Sequence, residues 1–71
     1  MLKHYYFNDK VDDNYRHEVH TKECLYLPAV ENRTYIGYES SCKEAINLAN
    51  AKHPSKDFDG CFWCSRACHK G

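Results

Sequence analysis

Two short pairs of cysteine and histidine constrain this chain more than any other feature of its sequence. The first pair is His20-x-x-x-Cys24, and the second is Cys61-x-x-Cys64. A C-x-x-C turn lets two sulfurs converge on one ion, and a second pair elsewhere in the chain completes a closed shell of four ligands. The spacing therefore predicts one tetrahedral metal site that joins the two halves of the chain.

The chemistry of the donor atoms indicates which metal this site would bind. Thiolate is a soft ligand and imidazole a borderline one, so three cysteines and one histidine suit zinc and disfavour Mg²⁺ or Ca²⁺. We therefore predict that His20, Cys24, Cys61 and Cys64 bind one zinc ion. His17 competes with His20, but the two side chains face opposite sides of an extended segment, so only one of them can reach the ion.

The two remaining cysteines have more than one possible role. If residues 64–68 are helical, Cys64 and Cys68 lie on one helical face, and Cys68 could replace His20 as the fourth ligand. Cys42 belongs to the apolar pattern of a predicted helix, which favours a buried side chain. A Cys42–Cys68 disulfide is the alternative in an oxidising setting. Because the chain has five cysteines, they cannot all pair with one another.

The length of the chain explains why its fold needs additional stabilisation, such as a bound metal ion. A domain of 71 residues can bury only one hydrophobic cluster, and such a core rarely supplies more than about 3–5 kcal/mol of stability. Small domains therefore usually add a metal ion, disulfides or a partner subunit. We predict a single zinc-binding domain over residues 1–71, and we expect a monomer.

The N-terminal segment and the overall hydropathy bear on the compartment. The first residues, MLKHYYFNDK, contain polar and charged side chains that interrupt any apolar run typical of a secretory signal. No apolar stretch approaches the roughly 20 residues needed to cross a bilayer. We therefore expect a cytoplasmic protein with no membrane partner, in a compartment where clustered cysteines more often bind metal than form stable bridges.

Three segments have the composition of strands. Residues 2–8 are rich in aromatic side chains without Gly or Pro, residues 15–20 follow a turn-like segment, and residues 34–38 are β-branched and aromatic. We predict a polar loop over residues 55–59, and a turn at Asp59-Gly60 directly before Cys61. A tight turn at that position would supply backbone N–H groups that stabilise coordinated thiolates.

The clearest local signal is a helix from Cys42 to about Lys52. Ser41 and Glu44 have the spacing of a capping box, and Pro54 cannot continue the helix. Four apolar positions recur at helical spacing and should pack on the sheet: Cys42, Ala45, Ile46 and Ala49. The sequence thus predicts an α+β fold in which a short antiparallel sheet of about three strands packs on one main helix. The C-x-x-C turn and a short helix over residues 65–69 follow.

The order of these motifs resembles the small zinc-binding domain of the Ada DNA-repair protein and its stand-alone relatives. The resemblance implies a zinc-centred α/β mini-domain with a short sheet and one or two helices. In Ada four cysteines hold the zinc, and the first of them accepts a methyl group from a DNA phosphotriester. Because an imidazole is a poor methyl acceptor, this repair chemistry is not expected when His20 occupies that position. The matching residues lie between about 15 and 64, and they are His20, Cys24, Asn32-Arg33, Gly37, Ser41–Ala45, Asp59-Gly60, Cys61 and Cys64.

Charge and ligand number together narrow the function. Ten basic and ten acidic residues balance, whereas a dedicated DNA-binding domain normally shows a strong basic stripe. A closed shell of three cysteines and one histidine leaves no coordination position for an activated water, so we expect no enzyme activity. We predict a zinc-stabilised binding module whose partner, a protein or a nucleic acid, is unknown. The alternatives are nucleic-acid binding by analogy to Ada, and a thiol-based redox or alkyl-acceptor activity.

The aromatic side chains do not by themselves indicate a nucleic-acid-binding function. Stacking surfaces for bases need aromatic rings interleaved with basic residues in an open groove. We expect the larger aromatic and aliphatic side chains to pack instead in the core or at its rim, namely Tyr35, Tyr38, Ile46, Phe62 and Trp63. A redox role for Cys61 and Cys64 would require a βαβ unit, for which the chain is too short.

Overall fold

One mixed sheet of four strands organises the fold in the computed structural model, which describes residues 1–71. The strands are β1 Lys3–Asn8, β2 His17–Thr21, β3 Arg33–Glu39 and β4 Phe58–Gly60. Strand β1 lies between β3 and β2 and pairs antiparallel with both, whereas β4 pairs parallel with β2 at the other edge. The predicted α+β architecture is confirmed, but the sheet has one strand more than expected and is not purely antiparallel.

Strand β4 lies where the sequence predicts a polar loop and a turn. Asp and Gly are depleted in strands, so the local composition of Asp59-Gly60 argues against one. Pairing with β2 decides the conformation instead, because Glu18 lies opposite Asp59 and Val19 lies opposite Gly60 in the parallel ladder. The turn prediction is therefore wrong, and tertiary pairing overrides the local preference of these two residues.

Helix α1 spans Cys42–Lys52, as the capping box predicts. The Ser41 hydroxyl accepts a hydrogen bond from the Glu44 N–H at 3.3 Å, which satisfies one of the free donors at the helix start. After the helix, His53 N–H donates to Ala49 O and Pro54 follows. With its 11 residues, α1 is the longest helix, and no helix could cross a bilayer.

The hydrophobic core lies between α1 and one face of the sheet. Half-buried Ile46 packs against this core, so the predicted apolar face of the helix is confirmed. The buried core residues are Tyr5, Phe7, Val19, Ile36, Cys42, Ala45, Ala49 and Phe58.

The C-terminal segment contains a 3-10 turn over Arg66–Cys68, close to the short helix that the sequence predicts.

A β-bulge in β3 changes which side chains face outward. Tyr6 pairs with Tyr35 and Tyr5 pairs with Gly37, so Ile36 is the extra residue. Residues three apart in a regular strand face opposite sides, but the bulge places Tyr35 and Tyr38 on the same side of the sheet. This side faces away from α1 and is called the open face. The two tyrosines are 48% and 53% exposed, so they do not belong to the core.

The open face carries a continuous row of rings. The His4 ring stacks on Tyr38 with centroids 4.5 Å apart, and its Nδ1 forms a 2.8 Å hydrogen bond with the Tyr35 hydroxyl. Tyr6 meets Tyr35 edge-on at 5.2 Å, and the Arg33 guanidinium lies 4.8 Å from the centre of the Tyr6 ring. One end of this row of rings is therefore covered by a cation.

Candidate metal centre

Four side chains from the two halves of the chain converge at one edge of the sheet. The ligand atoms of His20, Cys24, Cys61 and Cys64 all lie within 4.8 Å of one another. His20 Nδ1 lies 3.7 Å from Cys24 Sγ and 3.9 Å from Cys64 Sγ, and the sulfurs of Cys24 and Cys61 are 4.0 Å apart. A tetrahedron with metal–sulfur bonds of about 2.3 Å has edges of about 3.8 Å, so these residues could hold a metal ion.

The parallel pairing of β2 and β4 brings the two halves of this cluster together. His20 belongs to β2. Cys24 follows in a turn, in which the Cys24 N–H donates a hydrogen bond to Thr21 O at 3.1 Å. Cys61 comes directly after β4, and its N–H extends the ladder by donating to Val19 O at 3.0 Å. The distance along the chain between the two pairs is thus spanned by β3, α1 and β4.

His17, the competing histidine, lies outside the cluster. It belongs to the core face of β2, where its ring packs edge-on against Phe7 with centroids 5.5 Å apart. Its Nδ1 donates a 2.8 Å hydrogen bond to Asn8 O. Because strand alternation turns His20 to the opposite face, only His20 reaches the three sulfurs.

Cys68, the competing cysteine, is bonded elsewhere. Its sulfur forms a disulfide with Cys42, so it does not join the cluster. Cys42 is both a buried residue of the helix face and a disulfide partner, which combines the two roles considered for it. The three free cysteines that remain are Cys24, Cys61 and Cys64.

The three free thiols have different proton affinities. Burial and a hydrogen bond to Cys64 raise the pKa of Cys24 to about 12, and burial also raises the pKa of Cys61. Burial opposes ionisation of Cys64 as well, but hydrogen bonds from His20, from Cys24 and from the Thr21 N–H lower its pKa to about 6. At neutral pH, one of the three sulfurs is therefore ready to bind a metal without losing a proton.

The hydrogen bonds to the sulfurs come from other residues than the sequence predicts. The Thr21 N–H lies 3.4 Å from Cys64 Sγ, and the backbone N–H groups of Cys64 and Trp63 partly offset the rise in the pKa of Cys61 that burial causes. Asp59-Gly60 supplies none of them, because these residues are engaged in β4. The donor at Thr21 has no sequence signal, since it depends on the approach of two segments distant along the chain.

A cavity of about 490 Å³ opens beside the cluster, next to Cys24 and Cys64. The rings of Tyr26 and Trp63 stack at 5.8 Å on its rim. Trp63 is 67% exposed, so it does not pack in the core. The indole therefore lies close to the cluster, where its fluorescence can report on changes there.

Sequence reasoning also missed Glu18. Its Oε1 lies 3.7 Å from His20 Nε2, the ring nitrogen that faces away from the sulfurs. Strand alternation puts residues 18 and 20 on the same face, so this pair could have been found from the sequence once β2 was assigned.

Comparisons with family profiles, curated proteins and solved structures find no match for this chain. The resemblance to Ada therefore stays a prediction.

Proposed function

We propose that this chain is a non-enzymatic binding module whose fold is held by one zinc ion on His20, Cys24, Cys61 and Cys64. The observation that supports the proposal is the convergence of these four ligand atoms, which all lie within 4.8 Å of one another. The soft donor set favours zinc. Four protein ligands saturate the ion, so no position is open for an activated water, and the three free thiols are engaged in binding.

The direct test is the metal content of the chain and its response to a chelator. We expect one zinc ion per chain when the protein is purified without chelator, measured by elemental mass spectrometry. Adding EDTA should then unfold the chain, because metal-binding energy is folding energy in small domains of this kind. Circular dichroism and Trp63 fluorescence report the loss of structure. A metal-free chain that stays folded would contradict the proposal.

Zinc binding also reports the protonation states of the thiols. Because Cys64 has a pKa of about 6 whereas the pKa values of Cys24 and Cys61 are raised, zinc binding at pH 7 should release about two protons. Zinc affinity should therefore rise with pH, since ionised thiolates are the binding form. Calorimetry in buffers of different ionisation enthalpy measures the number of protons released.

The compartment determines whether the Cys42–Cys68 bond persists. Stable disulfides are typical of oxidising compartments, whereas cytoplasmic thiols are kept reduced. We propose zinc as the staple that operates in either setting, because its ligands do not include Cys42 or Cys68. The cytoplasmic location itself stays a prediction, and so does the monomeric state.

The open face of the sheet favours nucleic-acid binding as the second candidate function. Tyr35 and Tyr38 are half-exposed, His4 stacks on Tyr38, and the Arg33 guanidinium lies over the Tyr6 ring. Exposed rings beside a cation are what stacking platforms for single strands use. Tyr6 lies directly opposite His20 in the β1–β2 ladder, so this surface borders the proposed zinc centre.

Binding to a labelled oligodeoxythymidine of about ten nucleotides tests this candidate. Fluorescence anisotropy should show binding that weakens between about 50 and 200 mM salt. Replacing Tyr35 and Tyr38 with alanine should cost about 1–3 kcal/mol per stacked base. The control is Tyr15→Ala, which removes an exposed ring outside this surface. Absence of binding at low salt, or equal binding by the double variant, would exclude this role.

A further inference from the structure

One ring nitrogen of His20 is buried without a partner. His20 is 1% exposed, and its Nδ1 faces the sulfurs of Cys24 and Cys64. Its Nε2 is shielded from solvent and forms no hydrogen bond. A metal-binding imidazole carries its proton on the nitrogen that does not bind the ion. With Nδ1 at the metal, an N–H at Nε2 therefore needs an acceptor.

Glu18 is the acidic group placed to accept a hydrogen bond from this N–H. It precedes His20 by two residues in β2, so both side chains extend from the same face of the strand. The Glu18 Oε1 lies 3.7 Å from His20 Nε2, and the carboxylate is about one-third exposed. A movement of about 1 Å by this side chain brings the oxygen to the distance of a charge-assisted hydrogen bond.

We propose that Glu18 is a positioning residue of the metal centre: its carboxylate accepts the Nε2–H of His20 and thereby presents Nδ1 to the ion. The assignment rests on the proposed zinc centre. A carboxylate on the outer nitrogen fixes the tautomer and the ring orientation, and it raises the basicity of the ligand. Removing such a group typically lowers metal affinity by about 10–100-fold.

The test compares zinc affinities of the full chain by competition with a chromophoric chelator. Glu18→Ala should lower the affinity by about 10–100-fold. Glu18→Gln should lower it less, because the amide oxygen still accepts a hydrogen bond. His20→Ala is the reference for loss of the ligand itself, and Glu31→Ala is the control for loss of one exposed carboxylate. The control should match the wild-type chain.

Long-range ¹H–¹⁵N spectra of the zinc-loaded chain add a readout that a merely structural role would not move. We expect a metal-bound Nδ1 and a protonated Nε2 at His20, and a shifted Nε2–H signal in Glu18→Gln. A zinc affinity of Glu18→Ala within about twofold of wild type, or a metal-bound Nε2, would overturn the assignment of Glu18 alone. A wild-type chain that binds no zinc would overturn the proposed function and this assignment with it.

Discussion

Replacing Cys61 with serine is expected to abolish zinc binding and to unfold the chain. Cys61 is 2% exposed and follows β4 directly, so no other donor atom can take the position of its sulfur. A serine hydroxyl is close in size but stays protonated, so the change removes a ligand with little change in packing. Structural zinc in small domains contributes about 10–16 kcal/mol of apparent binding energy, against about 3–5 kcal/mol from a core of this size.

Two measurements check this result. Zinc affinity comes from the chelator competition, and the folded state comes from the dispersion of amide signals in an ¹H–¹⁵N spectrum. The matched control is the double variant Cys42→Ser/Cys68→Ser, which removes two sulfurs that lie outside the cluster. We expect it to keep one zinc ion per chain. A Cys61→Ser chain that is folded in the presence of EDTA would show that the core alone suffices.

The same double variant carries the second large effect, which is a loss of stability with the zinc retained. The Cys42–Cys68 bond links residues 26 positions apart, and closing a loop of this length contributes about 3.5 kcal/mol through the unfolded chain. The melting temperature should fall by roughly 14–28 °C for a domain of this size. The bond also joins the first turn of α1 to the 3-10 turn over Arg66–Cys68, so its loss should free the C-terminal segment first.

Thermal unfolding at a fixed free zinc concentration, without reductant, measures this effect. Adding a reductant to the wild-type chain should produce the same shift, whereas the double variant should not respond. An unchanged melting temperature under non-reducing conditions would contradict the prediction. A loss of zinc together with the disulfide would show instead that the bond is needed to assemble the cluster.

Local signals explain why the helix and most of the sheet were predictable. The capping box and the apolar spacing of α1 involve residues within a few positions of one another, so its bounds follow from the sequence. The first three strands are found with shifts of one or two residues. Strand β2, for example, begins at His17 instead of Tyr15, because Asp12 accepts backbone hydrogen bonds from Asn14 and Arg16 and extends the turn.

The candidate site was predictable to a similar extent and for a similar reason. Ligand spacing within each pair is local, and strand alternation separates His20 from His17. The pairs His20/Cys24 and Cys61/Cys64 do converge. Glu18 follows from the same alternation, but only after β2 is known.

The sequence by itself determined the residues of the candidate metal site, the helix and the α+β class, because each depends on spacing over a few residues. Only the tertiary structure decided that Asp59-Gly60 forms a strand, that Cys68 bonds Cys42, and that the bulge at Ile36 exposes two tyrosines. These outcomes depend on which distant segments meet. Pairing energy between such segments exceeds the weak local preference of any single residue.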